Sequence, residues 1–504
     1  MRGNDVAGTS SQGVPPGTAA GTDAPTLVDG TATPLRGRMG TVQLVLTVLA
    51  MASPLGAVAG VVPLVIAVGT GVGAAMTYVL VGLLLLLFAV GFTALSRALP
   101  RAGAFYTFVS AGLGRPPGLG AGFVALVGYL AQLVGAYAFL GAAVQVLVTA
   151  IGWGSVPWWG WSLVAWACAG VLGFVNVEFS GRVLSVLMLL EVAVVLCLDV
   201  PALLRGGPEG RPFGVFSAAV LGQGSLSLAI LFAVSTFIGF EATAIYRSET
   251  RDPERTVPRA TYAAVGLIAL FYVFTAWSLT TAYGPSQVVA AAQADPTTLF
   301  TRALGEYAGP LVADTVSFLL VTSVFASILS SHHPISRYVF SLSRNRVLPA
   351  AFGRTHARHG SPAAASLLTS ATSAVVVVPF VVLGVDAVNV YSWLFGIAAY
   401  ALLVLLTLTT LAVVVHFRRA RAGGGTGPVP GPWHTLVAPG LALVGLLATL
   451  GVVSRNFSAL LGSGPVLADL LVLGVWAVCG VGVLTALVRR RRDPEAYALL
   501  GDGR

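Results

Sequence analysis

The sequence predicts an all-α membrane protein with twelve transmembrane helices, and three observations support this fold class. Charged residues make up only 9% of the 504 residues, whereas a soluble domain carries about 25%. The mean hydropathy of +0.88 is correspondingly high. The apolar residues are also grouped, because the chain contains twelve mostly apolar runs of the length, about 20 residues, that a membrane helix needs. A secreted or cytosolic globular protein is therefore excluded.

The twelve apolar runs define the predicted helices in chain order, and polar or glycine- and proline-rich segments separate them. Several tryptophans lie near the ends of the runs, as is typical of aromatic residues at membrane interfaces. We predict transmembrane helices over residues 41–67, 72–96, 118–149, 157–176, 182–204, 222–246, 259–282, 309–335, 362–384, 389–416, 434–454 and 465–488.

The residues outside these runs divide the chain into four parts. Residues 1–39 are rich in Gly, Thr, Ala, Pro and Asp, which indicates a disordered tail, and they lack the pattern of a signal peptide. Residues 40–420 hold the first ten predicted helices and residues 421–488 hold the last two. Residues 489–504 form a basic C-terminal tail that begins with four arginines.

The distribution of arginine predicts the orientation of the helices. With the N-terminus inside, the cytoplasmic segments hold 24 arginines and the outer loops hold four, namely Arg205, Arg211, Arg302 and Arg455. Basic residues concentrate on the cytoplasmic side of membrane proteins. We therefore expect a multi-pass protein of the cytoplasmic (plasma) membrane with both termini in the cytoplasm. The net charge of +9 then reflects topology in a lipid bilayer, and no nucleic-acid partner is expected.

Two of the predicted helices contain interruptions. The first helix carries Ser-Pro-Leu-Gly at residues 53–56, and the sixth carries Ser-Thr-Phe-Ile-Gly at residues 235–239. Proline removes a backbone donor and glycine loosens a helix. Paired interruptions at matching positions of two halves point to an inverted-repeat transporter with its binding site near the bilayer midplane. Ordinary packing glycines are the alternative, since glycine is common in membrane helices.

Three groups of short motifs add to this pattern. They occupy residues 100–106 with 118–123, residues 237–242 with 248–260, and residues 336–338 with 343–349 and 360–362. In this order and spacing they resemble the amino acid–polyamine–organocation superfamily of permeases, of the amino acid permease type, from about residue 40 to residue 420. The stretch through the sixth helix, with its charged extension, is the most specific of the three.

The resemblance implies the leucine-transporter fold, in which helices 1–5 and 6–10 form inverted repeats with broken helices 1 and 6, and two further helices are peripheral. It also implies a secondary active transporter of amino acids or related amines, working by alternating access. The expected partner is then a small-molecule substrate, and neither a cofactor nor an enzymatic activity is expected. The oligomeric state stays open.

The interruptions also suggest where a substrate binds. The carboxylate and ammonium of an amino acid each cost several kcal/mol to bury unless they are paired, and free N–H groups at the start of a helix bind anions. By resemblance, the carboxylate lies at Ser53, Pro54, Leu55, Gly56 and Ala57, and the amine lies at Ser235, Thr236, Phe237 and Ile238. Phe237 and Phe240 are candidates to wall the pocket as an apolar gate, and plain helix packing is the alternative. The family usually has a glycine-rich first break, so Ser-Pro-Leu leaves the identity of the individual amides open.

Ionisable residues inside the membrane are costly and usually functional. Glu191 lies in the middle of the fifth helix and Glu241 follows the sixth-helix break, whereas Asp314 lies near an interface. All 28 basic residues are arginine, so the lysine that some relatives carry on helix 5, beside the sodium position of sodium-driven members, is absent. We therefore hypothesise that Glu191 or Glu241 binds the coupling proton.

Other functions stay open at this point. Sodium coupling needs hard oxygen ligands, which Ser327, Ser330 and Ser331 could supply, and an exchanger or a non-transporting sensor could use the same fold. A polytopic membrane enzyme would need a metal or nucleophile cluster. His356 and His359 could form a metal pair, but no third ligand lies close in sequence, so no metal site is predicted.

Overall fold

The computed structural model describes residues 39–99, 105–150, 152, 156–175, 181–355, 362–422, 430–461 and 465–500. Within these residues the chain forms twenty α-helices joined by loops and by short 3-10 and π-helical segments, and β-type pairing is limited to isolated bridges. The all-α fold class is therefore confirmed. Of the predicted N-terminal tail, residues 1–38 lie outside the described residues.

Most of the long helices coincide with predicted apolar runs, whereas five shorter helices lie outside them. The helices are α1 (Thr41–Ala52), α2 (Pro54–Gly60), α3 (Val62–Leu64), α4 (Ala74–Ala98), α5 (Phe105–Leu113), α6 (Arg115–Ala150), α7 (Trp158–Val175), α8 (Gly181–Arg205), α9 (Leu226–Ser235), α10 (Ala242–Ile245), α11 (Pro253–Tyr283), α12 (Val288–Ala294), α13 (Leu299–Ala308), α14 (Pro310–Arg344), α15 (Ala363–Val382), α16 (Ala387–Ala422), α17 (Ala438–Arg455), α18 (Ser458–Leu461), α19 (Pro465–Arg492) and α20 (Pro494–Leu499).

Eleven helical segments in the described part of the chain are long and apolar enough to cross a membrane. The protein is therefore a multi-pass membrane protein. The remaining predicted helix, the sixth, over residues 222–246, corresponds to the shorter apolar helix α9, a turn and the four-residue helix α10. The number of crossings and the inverted repeat stay predictions.

The bundle is built around α16. More than half of the residues of α16 are buried, and the helix packs against α6, α5, α17 and α9. By contrast, α8 buries one face and leaves Leu189, Leu196 and Val200 about half exposed on the other. A helix that buries one face and exposes an apolar one suits a position between protein and lipid. Mostly buried helices such as α16 thus form the interior of the bundle, and half-buried helices such as α8 form its lipid-facing rim.

The first predicted interruption is present between α1 and α2. Ser53 adopts a left-handed backbone conformation with φ +46° and ψ 72°, and Pro54 is the first residue of α2. A residue before proline avoids the helical region, while proline itself fits the first position of a helix because no donor is needed there. The Ser-Pro sequence therefore ends one helix and starts the next.

The second interruption follows α9. Residues 236–241 form turns, and Gly239 has a positive φ of +116° that favours glycine. The hydroxyls of Ser235 and Thr236 donate to the carbonyl oxygens of Phe232 and Ala233, each at 2.7 Å. Such bonds to the preceding turn compete with continuation of the helix. The local sequence thus stops α9 in the middle of the predicted sixth helix.

Candidate functional site

The two breaks face one small cavity of about 50 Å³. Six of the ten predicted substrate residues line it, namely Ser53, Gly56, Ala57, Ser235, Thr236 and Ile238. The remaining walls come from α6, α14 and α16. The cavity therefore lies between the two interrupted helices and the long buried helices of the bundle.

The other four predicted residues lie behind this lining. Phe237 is fully buried against Tyr272, with ring centroids 6.2 Å apart. Phe240 is fully buried against Phe88 at 5.8 Å. Pro54 and Leu55 are buried within α2 and are absent from the lining of the cavity. These side chains hold the broken segments in position from outside the cavity.

Sequence reasoning missed the aromatic part of the lining. Phe139 on α6 and Phe395 on α16 face the breaks. A Cβ atom on Gly60 would come within 2.9 Å of the Phe139 ring, so this glycine allows the ring to lie directly over α2. Both phenylalanines belong to long helices that are apolar on every side, and such a pattern does not indicate which face is turned inward.

Glu191 caps the first break. Its side chain is only 5% exposed, and the backbone N–H of Leu55 donates to Oε2 at 3.1 Å. The Ser53 and Ser323 hydroxyls form a hydrogen bond of 3.0 Å, and the Ser323 hydroxyl also interacts with the Glu191 carboxyl. A carboxylate is favoured at the start of a helix, where amides lack partners. The Glu191 carboxyl group therefore accepts a backbone N–H in the segment where the resemblance places the substrate carboxylate.

Glu241 caps the second break in a similar way. It is 2% exposed, and it accepts hydrogen bonds from the Tyr129 hydroxyl at 2.8 Å and the Gly239 N–H at 2.9 Å. None of the ion pairs observed between described residues involves Glu191 or Glu241. Asp314, the third carboxyl considered from sequence, is exposed on α14. Two buried carboxyl groups without a cation thus mark the two breaks.

A larger vestibule of about 280 Å³ adjoins the small cavity. The two spaces share Gln132, Ile238 and Ser331 as lining residues. Glu241 lines the vestibule, which extends to Glu249 in the turn before α11. The small cavity is therefore separated from the vestibule by a few side chains, and Glu241 lies beside that partition.

A further buried carboxyl, Asp199 on α8, escaped the sequence analysis. It is 3% exposed, and its Oδ2 accepts a hydrogen bond of 2.9 Å from the Thr275 hydroxyl of α11. The signal was available, because Asp199 lies inside the apolar run predicted as the fifth helix. His356 and His359, for which no metal site was predicted, lie outside the described residues, and the described ones contain no group of three or more potential metal ligands.

A multi-pass helical bundle with two broken helices around a buried cavity defines a membrane permease, and comparison with known proteins identifies the family. The sequence profile of the amino acid permease family matches residues 45–490. The chain therefore belongs to the amino acid permease family, within the superfamily that the motifs resemble. It is a membrane transport protein.

Several characterised relatives are similar to this chain. The low-affinity putrescine importer PlaP of Escherichia coli (strain K12) is 24% identical over 347 residues, which cover 66% of this chain and 72% of the relative. The branched-chain amino acid permease BcaP of Bacillus subtilis (strain 168) is 25% identical over 334 residues, covering 61% and 68%. The serine/threonine exchanger SteT of the same organism is 22% identical over 283 residues, covering 56% and 63%.

Proposed function

We propose that the protein is a secondary active transporter of amino acids or related amines that works by alternating access and is coupled to protons. The observation that carries this proposal is the single cavity between two helix breaks, each capped by a buried carboxyl group. We place it in the cytoplasmic membrane with both termini inside, on the arginine distribution of the sequence.

The first break suggests how proton and substrate are linked. The substrate carboxylate would bind at the backbone of residues 53–57, where Glu191 already accepts the Leu55 N–H. Two carboxylates at one helix start repel each other, so they do not both stay ionised there. A proton on Glu191 removes its charge and weakens its bond to Leu55. The substrate carboxylate then gains the amide, and proton and substrate load together.

The second break suggests where the amine passes. Ser235, Thr236 and Ile238 line the cavity, and the partial negative charge at the C-terminal end of α9 favours a cation. Glu241 lines the vestibule that adjoins the cavity, so an ammonium group that leaves the cavity through the vestibule passes near its carboxyl group. Glu241 is accordingly the second proton-binding candidate of the proposed cycle.

Counterflow and accumulation in proteoliposomes test this proposal. We expect counterflow of at least one labelled probe among leucine, serine and putrescine, and accumulation of that probe under an imposed proton gradient without sodium. Absence of counterflow for amino acids and amines alike would contradict the substrate class. Accumulation that needs a sodium gradient would instead favour the serine hydroxyls of α14, among which Ser327 and Ser331 line the cavity.

A further inference from the structure

The cavity between the two breaks is small for a transport substrate. Its volume of about 50 Å³ holds about three to five water-sized groups, since each of these needs about 10–15 Å³. In the proposed binding mode, the carboxylate and the amine of an amino acid occupy the space beside residues 53–57 and 235–238. The volume left for a substrate side chain is therefore small, and it lies toward the other walls, which come from α6, α14 and α16.

An aromatic wall of Phe139, Tyr391 and Phe395 bounds this remaining volume. Phe139 and Phe395 line the cavity, and both rings pack against the fully buried Tyr391, with centroids 5.2 and 5.9 Å from the centroid of its ring. A Cβ atom on Gly60 would come within 2.9 Å of the Phe139 ring. One on Gly135 would come within 3.0 Å of the Phe395 ring. In a close-packed interior such rings move only if their neighbours move too, so the aromatic wall limits the length of the substrate side chain.

The charge of the lining also restricts the substrate. Within the described part of the chain, no ionisable side chain lines the cavity, and its polar lining consists of serine and threonine residues together with Gln132. Glu191 and Glu241 bind backbone N–H groups at the breaks, but neither side chain lines the cavity. A second ammonium or carboxylate group on the substrate would therefore be buried without a partner of opposite charge, which costs several kcal/mol. An amino acid with a neutral side chain avoids this cost.

We propose that the site selects small neutral amino acids, of the size of alanine and serine, and rejects branched-chain amino acids and diamines. The aromatic wall excludes the longer side chains by size, and the neutral lining excludes a second charge. This inference rests on the proposed function, because it takes the cavity between the breaks as the place where the substrate binds. A difference of one methylene group changes selectivity by about 10–200-fold, and leucine is larger than alanine by several carbons.

Counterflow in proteoliposomes tests this selectivity first in the wild-type protein. We expect labelled alanine and serine to exchange at least about tenfold faster than leucine, and putrescine to stay at the level of liposomes without protein. Phe395→Leu and Phe395→Ala shorten the aromatic wall, so both should raise the ratio of leucine to alanine counterflow by about tenfold. Phe318→Leu is the matched control, because it makes the same substitution on the exposed face of α14. It should keep the wild-type ratio.

The outcomes separate this inference from the proposed function. If the wild type shows no counterflow of any amino acid or amine, the proposed function itself fails. If leucine or putrescine exchanges as fast as alanine, transport stands but the selectivity for small neutral substrates is overturned. A leucine-to-alanine ratio that stays at the wild-type value in Phe395→Leu would overturn the role of the aromatic wall. This variant retains an apolar side chain, so it remains a test even where Phe395→Ala fails to fold.

Discussion

At the residue scale, each of the two breaks is stabilised by a buried carboxyl acceptor, which is distant in the chain at the first break and local at the second. The Leu55 N–H would have no partner in an interrupted helix, and Glu191 supplies one. The Gly239 N–H likewise donates to the Glu241 carboxyl group, which also accepts a hydrogen bond from the Tyr129 hydroxyl. Each glutamate therefore has a structural role in the resting protein beside the proton-binding role that we propose for it.

Two substitutions of Glu191 distinguish its structural role from its proposed proton-binding role. We expect Glu191→Ala to destabilise the protein by about 1–3 kcal/mol, because it leaves the buried Leu55 N–H without an acceptor. Glu191→Gln retains an acceptor oxygen, so it should keep nearly the wild-type melting temperature but lose accumulation driven by a proton gradient. Thermal unfolding in detergent and proteoliposome uptake measure the two effects.

The control for Glu191 is Glu306→Ala, which removes an exposed carboxyl from α13 and should leave both readouts unchanged. Equal melting temperatures for Glu191→Ala and Glu191→Gln would contradict the capping role. Wild-type proton-driven accumulation in Glu191→Gln would contradict the role in coupling. The two roles can thus fail independently.

At the element scale, glycine sets how closely α5 approaches α16. A Cβ atom on Gly112 would collide with the backbone carbonyl group of Ala412. Backbone atoms of a buried helix cannot swing aside as the end of a side chain can, so the two helices would have to separate. Phe105 begins α5 and lines the vestibule, which connects this packing to the shape of the proposed substrate path.

Gly112→Ala should therefore destabilise the protein by about 1–3 kcal/mol, the usual cost of overpacking a core. Gly266→Ala is a matched control within α11, because a Cβ atom there meets nothing within 4 Å. Alanine is the better helix former by about 0.8–1.0 kcal/mol, so the control should unfold at the same or a higher temperature. A smaller fall in unfolding temperature for Gly112→Ala than for Gly266→Ala would contradict this packing argument.

At the scale of the whole molecule, the arginine distribution predicts which loops face the cytoplasm. The turns around residue 218 should be outside, and those around residue 350 should be inside. Ala218 and Ala350 are both exposed, so they offer a matched pair for labelling. The prediction depends on the positive-inside tendency and requires no knowledge of the substrate.

We expect Ala218→Cys to react with an impermeant maleimide on intact cells, and Ala350→Cys to react only after the membrane is permeabilised. The background variant should lack Cys168, Cys197 and Cys479, because the first two are exposed. The same variant without an added cysteine reports nonspecific labelling. The reverse pattern of labelling would contradict the predicted topology.

The sequence by itself determined the membrane class, the helices and both interruptions. Apolar runs set which residues enter the bilayer, and Ser53 before Pro54 or Gly239 within the sixth helix act on the local backbone. The positions of the two helix interruptions could therefore be predicted from the local sequence without the tertiary structure. The family motifs extended this reading to a permease.

Only the tertiary structure decided which side chains meet at the breaks. Glu191 reaches Leu55 across 136 residues, and Tyr129 reaches Glu241 across 112. In a soluble protein, polar and apolar faces would indicate how the helices are turned. A membrane helix is apolar toward lipid and toward its neighbours alike, so its sequence leaves the inward face undetermined. For the same reason, the partner of Asp199 became visible only once α8 and α11 were packed together.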